Sequence, residues 1–401
     1  MKYIGPDYYD ISSQFTEEEL LVQKTAYEFV KNEFLPVIKE HYHAGTFPVE
    51  LMTKLGELGF LGSSLPEESG GAGVSNVAYG LIMHELERGD SGLRSFASVQ
   101  GALVMYPIYA YGSDEQKSNW LPKLGSGEAI GCFGLTESNF GSNPGGMVTR
   151  ASRDGDDWVI NGSKMWITNG TQADWMCMLA NTDPNAKNKH FNKSLICVPL
   201  KKDGKRVQGV TINRKLKKMG MNSSDTAEIF FDDVRVPQEN LIGEEGQGFV
   251  YQMLQFQEER LFAALGGYTG CELAIQETIE YTRQRKTFGK PILDNQIVYY
   301  RLSELMTEVE ALRALTWKAI EIHVNGGDCT KLASMSKLKA TRLSRQVNDA
   351  CLQYWGGMGY MDESPISRRF RDGRLGSIGG GSDEVMLGII SKYLDILPGK
   401  N

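Results

Sequence analysis

No stretch of about 18 consecutive apolar residues occurs in this chain, so nothing in it reads as a membrane-spanning helix. No Lys/Arg-rich stripe occurs either, and a net charge of −7 argues against nucleic acid as a partner. Cys132, Cys177, Cys197, Cys271, Cys329 and Cys351 are scattered, with no Cys-x-x-Cys pair. That spacing fits reduced, buried thiols better than disulfides or zinc. Histidine is scarce, and His41 and His43, two residues apart, have no third ligand nearby, so no metal is expected. No Gly-x-Gly-x-x-Gly joins a strand to a helix, and alternating βαβ units are missing, which excludes a Rossmann nucleotide site. There is no internal repeat. The N-terminus, Met1-Lys2-Tyr3-Ile4-Gly5-Pro6, has neither an apolar signal region nor an Arg/Ser-rich leader, so a cytoplasmic protein is expected.

What is present is ordinary in bulk and informative in order. With 401 residues, 41% hydrophobic and 23% charged, the chain reads as a globular protein of two or three packed units. Thr16-Glu17-Glu18-Glu19 reads as a capping box opening a helix, with Pro36 near its end. Helical texture continues through Val49–Leu58, Val77–Arg88, Leu103–Tyr111 and Asp114–Leu124. From about residue 130 the pattern alternates. Trp158 to Ile167 reads as two strands around the Asn161-Gly162 turn, and residues 176–180, 194–199, 210–213 and 227–231 as further strands. After Gly248 long helices return, at 249–265, 270–284, 295–325, 332–353 and 384–396. The fold class expected is α+β and multidomain. It comprises an N-terminal all-α domain (1–130), a central β-barrel or sandwich (131–245) and a C-terminal four-helix bundle (246–401).

Two segments in the alternating block carry chemistry. Phe133-Gly134-Leu135-Thr136-Glu137 and Trp166-Ile167-Thr168-Asn169 offer a backbone amide, short hydroxyls and an aromatic wall, which is what a flat flavin ring requires. Alone, Trp166 is as well explained as a core aromatic, Arg285 as a solvated helix end and Gly356-Gly357 as a turn. Together with Glu87 to Ser95, Ala97-Ser98-Val99-Gln100, Tyr106 to Gly112 and Gly131 to Gly141, the chain closely resembles the acyl-CoA dehydrogenase family over its whole length. The N-terminal third is most similar to glutaryl-CoA dehydrogenases.

The resemblance implies non-covalent FAD, an acyl-CoA substrate, an electron-transferring flavoprotein as acceptor and a homotetramer. It implies flavin-ring contacts at Leu135, Thr136, Trp166 and Thr168, and a contact to the cofactor or to CoA at Ser142. Arg285, Phe288, Gln296, Gln353 and Gly357 match the segments holding the pyrophosphate and adenosine, partly from a neighbouring subunit. Arg285 suits that task because a guanidinium forks onto phosphate oxygens. Ser382 stands where the family usually has Thr beside the adenosine end.

Oxidising a thioester also requires a carboxylate to take the α-proton. Most of the family carries it as Glu in a Tyr-Glu-Gly-Thr-like turn. Here the matching stretch is Gly379-Gly380-Gly381-Ser382, and Gly380 stands at the base position. Isovaleryl- and long-chain-type enzymes instead carry the Glu on a helix, in a Glu-Arg-Leu stretch. Gln257-Glu258-Glu259-Arg260-Leu261 matches it, making Glu259 the expected base and Arg260 its accompanying cation. The bland alternative for Glu259 is a helix-surface carboxylate paired with a nearby Arg. A further alternative is Asp90, because enzymes acting on cyclic acyl rings use an aspartate there for a 1,4-elimination.

For the acyl group, Arg94 matches the residue that holds a distal carboxylate in glutaryl-type enzymes, with Ser95 and Ser98 nearby. Glu87 lies close enough in sequence to neutralise it. Gly380 replaces a large side chain with hydrogen, which argues for a branched, cyclic or medium-to-long acyl group. The expected activity is FAD-dependent α,β-dehydrogenation to a 2-enoyl-CoA. A decarboxylating glutaryl-CoA-type enzyme is the main alternative, and an oxygen-using flavoenzyme and a non-catalytic acyl-CoA-binding relative are the others.

Overall fold

The computed structural model of the protein describes residues 3–8, 10–188 and 190–398. Seven helices build the first third: α1 (Glu17–Phe29), α2 (Leu35–Ala44), α3 (Met52–Glu57), α4 (Asn76–Gly89), α5 (Ser91–Ser98), α6 (Tyr106–Tyr111) and α7 (Asp114–Gly125). The Thr16 hydroxyl accepts from the Glu19 amide at 3.2 Å, and the Glu19 carboxylate accepts from the Thr16 amide at 2.9 Å, closing the capping box.

Pro36 does not end this helix. A π-turn over Val30–Phe34 joins α1 to α2, with the Leu35 amide bonding the Val30 carbonyl five residues back. The wider turn takes up the donor that Pro36 lacks, so the chain stays helical to Ala44. A second π-segment, Val99–Met105, fuses α5 to α6 in the same way.

The middle third contains β1 (Gly131–Gly134), β2 (Arg150–Asp154), β3 (Asp157–Thr168), β4 (Trp175–Asn181) and β5 (Lys193–Pro199). A two-residue-strand hairpin, β6 (Lys201–Lys202) and β7 (Lys205–Arg206), precedes β8 (Val210–Lys215), β9 (Thr226–Pro237) and β10 (Leu241–Ile242). The sheet order is β10-β5-β4-β2-β3-β9-β8, with β1 running parallel to β4. One half (β10, β5, β4, β1) meets the other (β2, β3, β9, β8) where Arg150 pairs with Asn181, so the sheet folds over as a sandwich-like layer.

Asn161-Gly162 is not a hairpin turn. β3 runs unbroken through it against β9, and the hairpin with β2 closes one turn earlier, at Gly155. Gly162 instead forms a bulge at φ 142, where a Cβ would lie 2.6 Å from Thr149 Oγ1.

The last third is helical: α8 (Gly248–Gln284), the small hairpin β11 (Lys286–Thr287) and β12 (Lys290–Pro291), then α9 (Gln296–Val324), α10 (Thr330–Trp355), α11 (Pro365–Gly373) and α12 (Asp383–Tyr393). The two helices expected over 249–265 and 270–284 are one helix of 37 residues. Its internal glycines serve packing and do not break it. A Cβ at Gly267 would stand 2.8 Å from Cβ of Ala340 on α10, so glycine there lets the two helices close together. Helices α8, α9 and α10 lie side by side, with α12 against α10.

One apolar core runs through all three thirds. A second gathers Phe133, Val104, Leu179 and Leu195 with Phe256, where β1, β4 and β5 meet the π-segment and the start of α8. All six cysteines are buried free thiols. Among the described residues no helix is long and apolar enough to cross a membrane.

Candidate active site

The two candidate flavin segments are fastened to each other by a buried cation. Lys164 points inward from β3, and its ammonium donates to the Leu135 carbonyl at 3.1 Å and to Glu137 Oε1 at 3.0 Å. Glu137 also accepts from the Val148 and Thr149 amides at 2.8 and 2.9 Å. Burial alone would raise the Glu137 carboxyl, but Lys164 and these donors outweigh it and hold it below the usual carboxylate range. Burial pushes Lys164 down to about 8, against the pull of Glu137. The Met165 amide adds a bond to the Thr136 carbonyl at 2.8 Å. Neither Lys164 nor Glu137 was singled out from the sequence. The available signal was the strand period, which puts Lys164 in phase with the core residues Trp158 and Ile160.

Trp166 follows in the same strand, at a bulge, with φ 58 and 59% of its surface exposed. A bulky residue in the left-handed region is strained by about 1–3 kcal/mol, and such strain gathers at ligand sites. Thr168 ends the strand opposite Thr226 of β9, and the hydroxyls of Thr136 and Thr168 make no hydrogen bond among the described residues. An aromatic plane held out toward solvent beside two free hydroxyls fits the polar edge and face of an isoalloxazine. Ser142 lies exposed in the loop after β1.

α8 reaches this cradle through Phe256, whose ring stands edge-on to Phe133 of β1, 6.5 Å between centroids. One turn further along α8, Glu259 carries a buried Oε1 with no hydrogen-bond partner among the described residues. Burial, and then the neighbouring Glu258, push its carboxyl up to about 8, with Arg94 pulling the other way. Burial likewise lifts Glu258 to about 7. Glu259 is therefore no solvated surface carboxylate. It is a half-buried residue whose enclosed Oε1 lies in a carboxyl raised toward neutral pH, the range a general base requires. Tyr79 of α4 shares its surroundings. That hydroxyl is buried and unpaired, and it is raised well above the ordinary phenol by burial and then by Glu259 and Glu258.

Arg94 of α5 approaches the same region, donating from Nε to Glu87 at 2.8 Å. Ser98 donates to the Ser95 carbonyl at 3.3 Å in the same helix. Asp90 points elsewhere. It caps α5, accepting from the Gly92 amide at 2.7 Å and from the Ser223 hydroxyl, while its Oδ2 is buried and unpaired.

The glycine loop before α12 is held by a buried lysine. Lys337 of α10, almost wholly buried, donates to the carbonyls of Gly376 at 2.7 Å, Gly379 at 3.1 Å and Gly381. Burial brings Lys337 down to about 8; Asp383 opposes this and Arg260 adds to it. Arg260 itself is lowered by burial and has no ion-pair partner among the described residues. Gly380 sits at φ 61, and a Cβ built there would meet nothing within 4 Å, so the place of a base at this position is open space. Ser382 caps α12, accepting from the Val385 amide at 3.3 Å.

The remaining candidates gather at the far end of the bundle. Arg285 ends α8, Phe288 stands fully exposed at the β11–β12 turn, Gln296 opens α9, and Gln353 and Gly357 close α10. The Tyr354 hydroxyl bonds the Ile297 carbonyl at 3.3 Å, tying α10 to α9 there. Along α8, Arg285 lies roughly 40 Å from Glu259. His41 is engaged by Thr46 at 2.8 Å and by Glu50 at 3.3 Å, and His43 by Asp362 at 3.1 Å.

Family models for the N-terminal, middle and C-terminal domains of acyl-CoA dehydrogenases match residues 16–128, 132–234 and 246–394. The chain is 33% identical to the mitochondrial short-chain specific acyl-CoA dehydrogenase of Rattus norvegicus, over 96% of this chain and 91% of that one. An acyl-CoA dehydrogenase from Geobacillus kaustophilus superposes with a TM-score of 0.91 at 37% identity, covering 95% of this chain and 99% of that one. A glutaryl-CoA dehydrogenase from Mycobacterium smegmatis, in complex with FADH2, gives 0.90 at 35%, covering 98% of both. With a flavin-shaped cradle, a buried unpaired carboxylate beside it and these matches from end to end, the chain belongs to the acyl-CoA dehydrogenase family of FAD-dependent oxidoreductases.

Proposed function

We propose that the protein oxidises the α,β-carbon pair of an acyl-CoA to the 2-enoyl-CoA with Glu259 as base, passing electrons to an electron-transferring flavoprotein. The observation that carries this reading is the buried, unpaired Oε1 of Glu259, raised to about 8 by burial and then by Glu258, on a helix that touches the flavin cradle. The Glu259 carboxylate takes the α-proton. Bound FAD supplies the acceptor for the β-hydrogen and its electron pair. Leu135, Thr136, Trp166 and Thr168 orient the ring, and Lys164 keeps the two segments that carry them in register. Arg285, Phe288, Gln296, Gln353, Gly357 and Ser382 serve the rest of the dinucleotide, the first five from a second subunit of a homotetramer. Ser142 contacts the cofactor or CoA, and Arg260 is the cation accompanying the base.

Asp90 is the alternative base: its Oδ1 is held by the Gly92 amide and the Ser223 hydroxyl, while its Oδ2, like Glu259 Oε1, is buried without a partner among the described residues. The open space at Gly380 supports a branched, cyclic or medium-to-long acyl group. A glutaryl-CoA-type decarboxylating enzyme is the second reading, favoured by Arg94 beside the base and weakened by its pairing with Glu87.

The test is anaerobic stopped-flow. Glu259→Gln should retain FAD yet lose substrate-driven bleaching by about a thousandfold or more. Bleaching at the unaltered rate rejects Glu259 as the base. Release of CO2 that disappears in Arg94→Ala selects the glutaryl reading.

A further inference from the structure

Three carbonyls converge on one ammonium in the C-terminal third. Lys337 is 1% exposed, and its Nζ donates to Gly376 at 2.7 Å, to Gly379 at 3.1 Å and to Gly381. An ammonium carries three N–H donors and no acceptor, so this set uses it fully. A planar guanidinium fork does not match three carbonyls gathered at one point.

The segment it holds has little else to fix it. Gly379, Gly380 and Gly381 are consecutive, and glycine loses more backbone freedom on folding than any other residue. The Gly379 amide bonds the Leu375 carbonyl at 2.8 Å, and the Ser382 hydroxyl caps α12. Between those two points Lys337 makes the only hydrogen bonds among the described residues. α10 grips the far side of the turn as well. One helical turn past Lys337, the Thr341 hydroxyl donates to Asp383 at 3.0 Å, and Arg342 Nε does so at 3.3 Å. A Cβ at Gly376 would stand 2.9 Å from Thr341 Cγ2, so the loop lies directly on this helix. Because each peptide unit is planar, drawing in the carbonyls of Gly379 and Gly381 sets the peptide planes on both sides of Gly380.

We propose that Lys337 is a positioning residue for the oxidation, a tethered cation that freezes the Gly379–Gly381 turn where Gly380 and Ser382 border the acyl group and the cofactor. This rests on the reading under which that turn belongs to the site.

Lys337→Ala tests it, because n-propylammonium supplies the carbons and the ammonium that the variant lacks. The probes are octanoyl-, isovaleryl-, cyclohexanecarbonyl- and glutaryl-CoA, with the one that bleaches the FAD-loaded parent fastest carried forward. In anaerobic stopped-flow the variant should bleach at least about tenfold more slowly, while its calorimetric affinity for the same probe shifts less than about threefold. Added n-propylammonium should restore most of the lost rate. n-Propanol, and sodium chloride at matched ionic strength, should not. An unchanged rate overturns the proposal, and so does a loss that n-propylammonium relieves no better than n-propanol, which would leave the side chain a packing role alone. If Lys337→Ala does not fold, Lys337→Met keeps the volume of the stem without the charge, and a parental rate in it overturns the proposal. If no probe bleaches the parent, the dehydrogenase reading falls. Hydrogen exchange over residues 375–386 then decides for Lys337: faster exchange in Lys337→Met than in the parent sustains the clamp, and equal exchange overturns it.

Discussion

Lys164 Nζ and Glu137 Oε1 stand 3.0 Å apart inside the central domain, the lysine wholly buried and the glutamate nearly so. The pair locks the turn after β1 to the strand that presents Trp166. Removing one partner leaves a buried charge alone, at a cost of about 3–5 kcal/mol. Lys164→Met should therefore lower the unfolding temperature sharply and release FAD. Adding Glu137→Gln should recover part of the loss, so that the double change costs less than the two single changes added. Calorimetry and flavin absorbance of the purified variants read both effects.

A carboxyl raised to about 8 by burial and then by Glu258 sets the direction of the pH response. Glu259 must be ionised to accept the α-proton, so kcat/KM should climb with pH and level off above about 8. Stability runs the other way. Between about 4.5, the unfolded value, and 8, the folded chain holds a proton that the unfolded chain has released, so stability falls as pH rises. Glu259→Gln lacks this titration. Its stability advantage over the parent should open above pH 4.5 and be complete near pH 8 in denaturant titrations.

The space at Gly380 offers a second seat for the base. Because a Cβ there meets nothing within 4 Å, Gly380→Glu should be accommodated, with φ 61 costing about 1–2 kcal/mol. In a Glu259→Gln background it should restore measurable flavin bleaching by acyl-CoA. Rates no higher than those of Glu259→Gln alone would show that the loop does not reach the α-carbon.

Trp166 predicts a trade between stability and cofactor affinity. Trp166→Gly removes the left-handed strain, so the FAD-free protein should unfold at a higher temperature. The stabilisation gained on adding FAD should shrink, because the aromatic wall is gone. Thermal scans with and without FAD measure both.

Much of the architecture was legible because its signals are local. The capping box at Thr16, the short buried apolar runs of β4 and β5, and the return of long helices after Gly248 each follow from local sequence alone. The errors have a common cause: tertiary packing reassigns residues that punctuate a sequence. Asn161-Gly162 looks like a turn but bulges a continuous strand under Thr149. Gly266, Gly267 and Gly270 look like a break but lie inside α8. Pro36 looks like a stop but is carried by a π-turn. Among the candidate residues, Glu259, Arg94 and Trp166 are visible through motif and residue type. Tyr79 and Lys337 are not, because a buried phenol and a lysine capping carbonyls carry no pattern until the chain is folded.

The unbroken course of α8 has a mechanical consequence. One rod of 37 residues seats against β5 at Gly248, presents Glu259 about a third of the way along and is followed by Arg285 at its end. Phase is therefore shared along its length. A single residue inserted between 260 and 284 would swing its two ends about 100° relative to each other, uncoupling the proposed base from the proposed phosphate-binding end while sparing every side chain involved.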